Sequence, residues 1–245
     1  MGRPPRHRGS GLAVLVLGIE TATAQVGCAV GGHEGVLAEF HSARGRRHVE
    51  TLAPAIEFVC RQARVELSEI SAVAVDVGPG LFSGLRVGVA TAKAMAQALR
   101  VPTVAVSSLD LLAFPVRHSS RLIVTVVDAR RGEVFYAFYR QVPGGAQRLT
   151  PYQLGTADEL ASELLARGEE CLLVGDGAVR YQDVLREVAR FDASDIVNAY
   201  PSAASLVELA HPRAIREEFI PATDLKPLYL RRSDAEISWD RREVV

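Results

Sequence analysis

The order of predicted secondary-structure elements occurs twice along the chain, and this duplication limits the folds that it can adopt. Hydrophobic spacing predicts three strands, a helix, a strand and a helix before residue 107, and the same order again before residue 190. The first strand of each half leads into an acid, Glu20 in one half and Asp128 in the other. The sequence therefore predicts an α/β protein built from two similar β-β-β-α-β-α halves.

Glycine and proline turns set the boundaries of these elements. In the first half we predict strands at 13–19, 26–30 and 36–40, a helix with its apolar stripe over 52–63, a strand at 72–77, a helix at 84–99 and a strand at 103–106. In the second half we predict strands at 122–127, 134–139 and 147–150, a helix at 157–166, a strand at 171–174 and a helix at 179–189.

The composition excludes several classes of protein. The 28 Lys and Arg residues are balanced by 29 Asp and Glu residues, whereas a protein that binds nucleic acid by charge alone carries a basic excess. Three cysteines, Cys28, Cys60 and Cys171, form no CxxC pair and leave one over, which indicates a reducing compartment. No apolar run reaches the roughly 20 residues of a membrane span. We expect a soluble, cytoplasmic protein with no membrane partner.

The N-terminal segment has two interpretations. Arginines ahead of the apolar run 11–19, followed by Ala22-Thr23-Ala24, are typical of a signal peptide and would fit a secreted binding protein. The other interpretation is a disordered basic tail over residues 1–11 followed by a buried strand. Glu20 favours the tail and strand, because it falls where a signal peptide would have a neutral cleavage region.

The glycine-rich turn from Asp76 to Gly88 is the most informative motif. It lacks the Lys-Ser/Thr of a Walker A loop, and its third glycine falls one residue too late for GxGxxG. Glycines at a strand-to-helix turn, with Ser83 as the N-cap of a helix that begins at Gly84, explain it structurally. Free amides at the start of that helix would also attract an anion. Both interpretations stay open on the residues alone.

Two neighbouring helices each keep an uncharged face beside their core stripe. Small or adaptable side chains on such a face allow another helix to approach closely. These residues are Thr51, Ala55 and Phe58 in the first helix and Gly84, Val87, Gly88, Thr91 and Met95 in the second. The faces are predicted either to contact another subunit or to lie beneath the chain's own C-terminal helix.

The duplicated order, with an acid after the first strand of each half, resembles the actin-like ATPase fold, which is also described as ribonuclease H-like. The resemblance implies a nucleotide site between the halves. Candidate residues for weak nucleotide or phosphate contacts are Glu20, Thr21, Gly78, Gly80, Asp128, Gly175 and Gly177. The implied divisions are a tail at 1–11, a first half at 12–106 on which a helix near 202–210 packs back, a second half at 107–200, and an extension at 211–245 with a charged, frayed end.

Four segments carry a more specific resemblance. They are Leu17-Gly-Ile-Glu-Thr-Ala-Thr, Gly78-Pro-Gly-Leu-Phe-Ser-Gly-Leu-Arg-Val-Gly88, Asp128-Ala-Arg-Arg-Gly-Glu-Val134 and Pro227-Leu-Tyr-Leu-Arg231. Together they resemble the bacterial TsaB (YeaZ) family, related to TsaD/Kae1, over nearly the whole chain. The glycine turn is shared with TsaD, whereas the last two segments point to TsaB.

The family resemblance implies a function and a set of partners. TsaB proteins serve the formation of N6-threonylcarbamoyladenosine at position 37 of tRNAs that read codons starting with A. The resemblance implies that this chain is a non-catalytic subunit that pairs with TsaD through the two uncharged helix faces, and that the TsaE ATPase joins the complex. An exposed apolar face also predicts a weak homodimer. A basic cluster, Arg44, Arg46 and Arg47, is either a tRNA contact or a solvated loop.

The region after the strand at 103–106 bears on whether the chain is catalytic. TsaD carries a His-x-x-x-His metal pair there, and Ser108 and Leu112 occupy those two positions in this chain. None of the six histidines has another four residues away. We therefore expect no catalytic residue and no metal site. The alternative is an enzyme in its own right, either a metal-dependent carbamoyltransferase or a small-molecule kinase of the actin-like fold.

The second acidic turn departs from that of a working kinase of this fold, which has Asp-Gly-Gly/Thr. Here Arg130 and Arg131 follow Asp128-Ala129, and two arginines would crowd a γ-phosphate or bind an anion in another arrangement. We expect no tightly bound cofactor, ATP or ADP binding only with partners, and no independent ATPase activity.

Overall fold

A computed structural model of the chain describes residues 14–43, 48–186, 191–192 and 199–231. The predicted tail at 1–11, the basic cluster at 44–47 and the charged end at 232–245 lie outside the described residues. Two β-sheets with helices on their faces confirm the α/β fold with two related halves.

The first half is a five-stranded sheet in the order β3-β2-β1-β4-β5. Strand β1 pairs antiparallel with β2 and parallel with β4. The elements are β1 (Val16–Glu20), β2 (Val26–Gly32), β3 (Gly35–Ser42), α1 (His48–Ala63), β4 (Ala72–Asp76), α2 (Phe82–Leu99) and β5 (Thr103–Val106). Because β1 and β4 are parallel neighbours, their carboxyl ends meet at one edge of the sheet.

Alternate residues of these strands face opposite sides of the sheet. Leu17 and Ile19 pack in one core with α1 and α2, whereas Val16 packs in another with helix α7 (Ala203–Ile215). The C-terminal helix therefore lies on the face opposite α1 and α2, and the prediction that it covers their uncharged faces is wrong.

The second half is a six-stranded sheet in the order β11-β10-β6-β7-β8, with β9 also paired to β7. Helices α4 to α6 pack on one face, and α3 packs on the other, where it also contacts α7. The elements are α3 (Ser108–Ala113), β6 (Leu122–Arg130), β7 (Glu133–Val142), β8 (Gly145–Arg148), β9 (Gln153–Thr156), α4 (Ala157–Arg167), β10 (Cys171–Val174), α5 (Asp176–Arg180), α6 (Gln182–Arg186) and β11 (Phe191–Asp192).

Two predicted helix starts differ from the structure. The helix predicted at 179–189 is instead the short pair α5 and α6, and α5 begins directly after Gly175, whose φ of +110° turns the chain sharply. Helix α2 begins at Phe82, so its N-cap is Leu81 and not Ser83. The Leu81 amide donates a 2.6 Å hydrogen bond to Ala22 O, so contact with the β1–β2 turn fixes this helix start.

Residues 227–231 form a C-terminal strap that contacts both halves. The Leu228 amide donates a 2.7 Å hydrogen bond to Val77 O at the end of the first sheet. Arg231 forms a 2.6 Å ion pair with Glu133 of β7 in the second sheet. Across the part of the chain that the structure describes, no helix is both long and apolar enough to cross a membrane.

Candidate functional site

Two buried acids meet at the edge of the first sheet. Glu20 ends β1 and Asp76 ends β4, and both are completely buried. Glu20 Oε1 accepts a 2.8 Å hydrogen bond from the Ala22 amide. Asp76 Oδ1 accepts hydrogen bonds from the Gly78 amide at 2.8 Å and the Ser108 hydroxyl at 2.7 Å. Among the described residues, Glu20 Oε2 and Asp76 Oδ2 have no hydrogen-bond partner.

The pKa values of both acids are raised, because burial removes the water that stabilises a carboxylate. Burial raises the pKa of Glu20 well above its ordinary value, and the neighbouring Asp76 raises it further. Burial also raises the pKa of Asp76 to about 7, against the lowering effect of its hydrogen bonds from Ser108 and Gly78. Protonated carboxyl groups therefore suit this place better than two adjacent carboxylates.

The positions that resemble the TsaD metal pair have other surroundings here. The Ser108 hydroxyl is bound to Asp76, and Leu112 is buried in a core of the second half. His48, which is also buried, contacts Thr23 O through Nε2 at 2.9 Å. Within residues 14–43, 48–186, 191–192 and 199–231, no group of three or more His, Cys, Asp and Glu side chains is arranged to hold a metal ion.

The glycine turn packs tightly against the turn that follows β1. Thr21 Oγ1 donates a 2.8 Å hydrogen bond to Gly84 O. A Cβ at Gly80 would lie only 2.2 Å from Ala22 O, and one at Gly78 would lie 3.0 Å from the Leu85 side chain. The first-half candidates for phosphate contact are thus brought together, and the backbone of residues 21–22 lies against the glycines.

Asp128 is the centre of a cluster in the second half. Its carboxylate contacts the guanidinium groups of Arg130 at 3.0 Å and Arg180 at 3.6 Å, and it accepts a 3.3 Å hydrogen bond from the Tyr181 hydroxyl. The Asp128 amide donates to Asp176 Oδ1 at 3.0 Å. Burial raises the pKa of Asp176 to about 6. The turn therefore holds arginine side chains beside its acid.

The second-half glycines lie beneath this cluster. A Cβ at Gly175 would lie 2.1 Å from Val126 O, and one at Gly177 would lie 2.8 Å from Val126 Cγ1. Their small size lets α5 pack directly on β6, so close packing within this chain accounts for glycine at both positions.

An apolar groove of about 730 Å³ runs between α1 and α2 on the first half. Its described lining comes only from these two helices and the segment after α1. The uncharged lining residues are Ala53, Ile56, Cys60, Val65, Leu67, Thr91 and Met95, and the charged ones are Glu57, Arg61, Arg64 and Glu66. This groove, which we call the α1–α2 groove, is suited to receive an apolar helix.

The predicted interface residues fall into two groups. Thr91 and Met95 line the α1–α2 groove, Phe58 is exposed, and Thr51 and Val87 are half-buried. The sequence prediction did not include Ala53 or Val49, which are exposed on α1. The sequence feature that could have identified them is a second stripe of apolar residues at spacings of three and four, next to the core stripe of the same helix.

Ala55, Gly84 and Gly88, which the sequence analysis assigned to the partner interface, are buried within this chain. Ala55 packs in the core beneath α1 and α2. A Cβ would lie 2.1 Å from Thr21 O at Gly84 and 2.3 Å from Thr21 Oγ1 at Gly88. The two glycines let α2 approach the β1–β2 turn. Packing within this chain therefore explains why both residues are small.

Comparison with known proteins indicates the same family as the four sequence segments. A family model described as "TsaD: tRNA N6-adenosine threonylcarbamoyltransferase" matches residues 35–239. The tRNA threonylcarbamoyladenosine biosynthesis protein TsaB of Bacillus subtilis is 27% identical over 228 residues, which cover 92% of this chain and 98% of that protein. An uncharacterized protein of Mycobacterium tuberculosis is 34% identical over 222 residues, covering 90% of this chain and 93% of its own length.

A solved structure shares the fold. YeaZ from Pseudomonas aeruginosa superimposes with a TM-score of 0.77 at 27% identity, and the match covers 89% of this chain and 100% of that chain. The topology of the two sheets and this superposition confirm the actin-like fold. The chain belongs to the TsaB (YeaZ) family of tRNA threonylcarbamoyladenosine biosynthesis proteins, within the wider group that shares the TsaD-type domain.

Proposed function

We propose that this chain is the non-catalytic partner of a TsaD homologue in forming N6-threonylcarbamoyladenosine at position 37 of tRNAs that read codons starting with A. The observation that carries the proposal is the apolar α1–α2 groove. Its uncharged floor and its rim of both charge signs have the character of a subunit interface, with an apolar centre and a polar edge. In this complex, a helix of the TsaD homologue occupies the groove.

The buried acids support the non-catalytic role. Ser108 holds Asp76 where TsaD carries a metal ligand, and Leu112 is part of a core. Transfer chemistry then belongs to the TsaD homologue, and the TsaE ATPase joins through the complex in the cytoplasm. ATP or ADP binds only when these partners are present, and no cofactor is held tightly by this chain alone.

Co-elution with the TsaD homologue of the same source tests the proposed interface. Met95→Arg places a larger, charged side chain in the α1–α2 groove and is expected to abolish the complex, because it would occupy the space of an apolar partner helix and place a charge at the apolar centre of the interface. Gln97→Arg adds the same charge at an exposed position on another flank of α2, and it is expected to keep the complex. Gly88→Arg is a poor probe, because its side chain would meet Thr21 inside the fold.

Two outcomes would contradict this assignment. A complex that survives Met95→Arg would place the partner elsewhere, and a wild-type chain that forms no complex would remove the partner role itself. In the absence of the TsaD homologue, a second copy of the chain is expected to occupy the groove weakly. Light scattering should then show a dimer that grows with concentration in the wild type and is lost in Met95→Arg.

The alternative function is an enzyme of the actin-like fold in its own right. A metal-dependent carbamoyltransferase or a small-molecule kinase would turn over its substrate without a partner. We expect no ATP hydrolysis by the pure chain. Hydrolysis that disappears in Asp128→Ala would establish the enzyme instead.

A further inference from the structure

Five arginines from separate parts of the fold follow one another through a chain of contacts: Arg86 with Tyr229, Arg231 with Glu133, and Arg130 and Arg180 with Asp128. Arg131 follows Arg130 in the same turn. Helix α2, the C-terminal strap, the β6–β7 turn and α5 each contribute to this chain of contacts. We call this set the arginine row, and its members are Arg86, Arg231, Arg130, Arg131 and Arg180. The chain as a whole has a net charge of −1, so the row is a local concentration of positive charge.

At the α2 end of the row, Arg86 lies against an aromatic pair. Tyr229 stacks on Phe82 with ring centroids 5.0 Å apart and planes 29° apart, and Tyr229 remains 43% exposed. The Arg86 guanidinium lies 4.1 Å from the Phe82 ring centre, and its Nε donates to the Tyr229 hydroxyl at 3.4 Å. Arg231, two residues along the strap, pairs with Glu133 at 2.6 Å. An exposed ring flanked by cations is the combination that binds single-stranded nucleic acid.

The β6–β7 turn holds its arginines in a backbone conformation that arginine disfavours. Arg130 pairs in register with Glu133, which leaves Arg131 and Gly132 as a two-residue loop. Arg130 and Arg131 have φ values of +67° and +59°, a left-handed conformation that is unfavourable for any residue with a side chain. Asn-Gly would make the same turn more readily. Arg130 is held in this turn by its ion pair with Asp128. Arg131 is exposed in a backbone conformation that asparagine or glycine adopts more readily, and strain of this kind is typical of residues with a function.

The acid that pairs with these arginines lies beneath them. The Asp128 side chain is 3% exposed, whereas its partners Arg130 and Arg180 keep 44% and 55% of their side chains exposed. Asp128 and the neighbouring Asp176 offset the charge of the two arginines from below, and the exposed parts of the two guanidinium groups face outward. The arginine row is therefore able to bind a second, external anion.

We propose that the arginine row binds the phosphate backbone of the tRNA, with one unpaired base stacked on Tyr229. This inference rests on the proposed function, because that function makes tRNA the substrate of the complex. Guanidinium groups bind phosphate oxygens in a bidentate manner, and aromatic rings stack bases without regard to sequence. An acidic protein segment would use the same arginines but would not need the exposed ring, so the surface favours RNA.

Fluorescence anisotropy with a labelled, unmodified tRNA transcript tests the proposal on the full chain, across a series of salt concentrations. Arg131→Asn is the decisive variant, because asparagine suits this turn and the fold is retained. We expect weaker binding and a slope of log K against log salt that is shallower by about 1. Tyr229→Leu is expected to weaken binding without changing the slope. Arg140→Asn removes an exposed, ion-paired arginine elsewhere on β7 and is expected to change neither.

Three outcomes would overturn the proposal: no binding by the wild-type chain, wild-type affinity in Arg131→Asn, or equal losses in Arg131→Asn and Arg140→Asn. Displacement of tRNA by poly-glutamate as efficiently as by an RNA of equal charge would also overturn it, because the row would then dock an acidic protein segment. Co-elution of Arg131→Asn with the TsaD homologue is measured separately. If Arg131→Asn keeps both the complex with the TsaD homologue and wild-type RNA binding, this inference is rejected and the proposed function stands.

Discussion

The Ser108 hydroxyl donates a 2.7 Å hydrogen bond to Oδ1 of Asp76, joining the first residue of α3 to the last residue of β4. Helix α3 packs on the second sheet, so this contact ties the edge of the first sheet to the second half. The family resemblance would place a metal ligand of TsaD at the position of Ser108. In this chain it stabilises a buried acid.

Ser108→Ala should lower the free energy of unfolding. The buried Asp76 loses one of its two donors, and an unsatisfied buried polar group costs about 1–3 kcal/mol. Urea denaturation measures the change. Ser68→Ala, at an exposed position, is the control and should shift stability by less than about 0.5 kcal/mol. Equal effects from the two variants would show that the hydrogen bond to Asp76 contributes nothing.

Stability should fall as the pH rises towards neutrality. Asp76 has its pKa raised from the ordinary 3.8 to about 7 in the fold, so the unfolded chain releases this proton first. The unfolded state then binds fewer protons than the native state, and stability decreases with pH across this range. The raised pKa of Glu20 acts in the same direction.

Asp76→Asn separates this effect from the rest of the titration. Asparagine keeps an acceptor for Ser108 and Gly78 but does not ionise. The free energy of unfolding of both proteins is measured by urea titration at a series of pH values. Between the pH at which an ordinary carboxyl group ionises and a pH above neutrality, the variant should lose less stability than the wild type. A pH dependence identical to that of the wild type would show that another group is responsible.

Gly84→Ala should be strongly destabilising. The new methyl group would lie 2.1 Å from Thr21 O, and overpacking of this kind costs about 1–3 kcal/mol or more. Gly145→Ala is the matched control, because no atom lies within 4 Å of a Cβ at that position. Thermal and urea unfolding should separate the two variants, and a tolerated Gly84→Ala would contradict the close packing of α2 on the β1–β2 turn.

Arg131→Asn should raise stability while it weakens RNA binding. Asparagine tolerates the left-handed backbone of this turn better than arginine, so the free energy of unfolding is expected to rise by up to about 1 kcal/mol. Arg140→Asn, in regular strand backbone on β7, should give no such gain. A loss of stability in Arg131→Asn would show that the turn needs the arginine for folding.

Most of the fold follows from local patterns in the sequence. The strands at 103–106 and 171–174 lie where apolar runs between turn residues predict them. Helix α3 was missed because its six residues are too few to show helical periodicity, although Ser107 caps it through a hydrogen bond from the Leu109 amide. Strand β9 pairs at the edge of β7 and is only half-buried, so it lacks a clear apolar alternation.

The candidate site was less predictable, because it depends on contacts between distant segments. Spacing along α2 places Gly84 and Gly88 beside Thr91, but only the fold shows that Thr21 fills the space next to the glycines. The acids at 20 and 76 are recognisable as strand ends, whereas their burial against each other requires the parallel pairing of β1 and β4. The arginine row could not be predicted, since its members lie between residues 86 and 231.

The central claim is that this chain enables a TsaD homologue to modify tRNA and has no transfer activity of its own. The most direct test is mass-spectrometric measurement of N6-threonylcarbamoyladenosine in tRNA incubated with the TsaD and TsaE homologues, ATP and a threonylcarbamoyl donor. The modified nucleoside should form with the wild-type chain or Gln97→Arg, and not with Met95→Arg or without the chain. Full modification without this chain, or modification by this chain alone, would contradict the account.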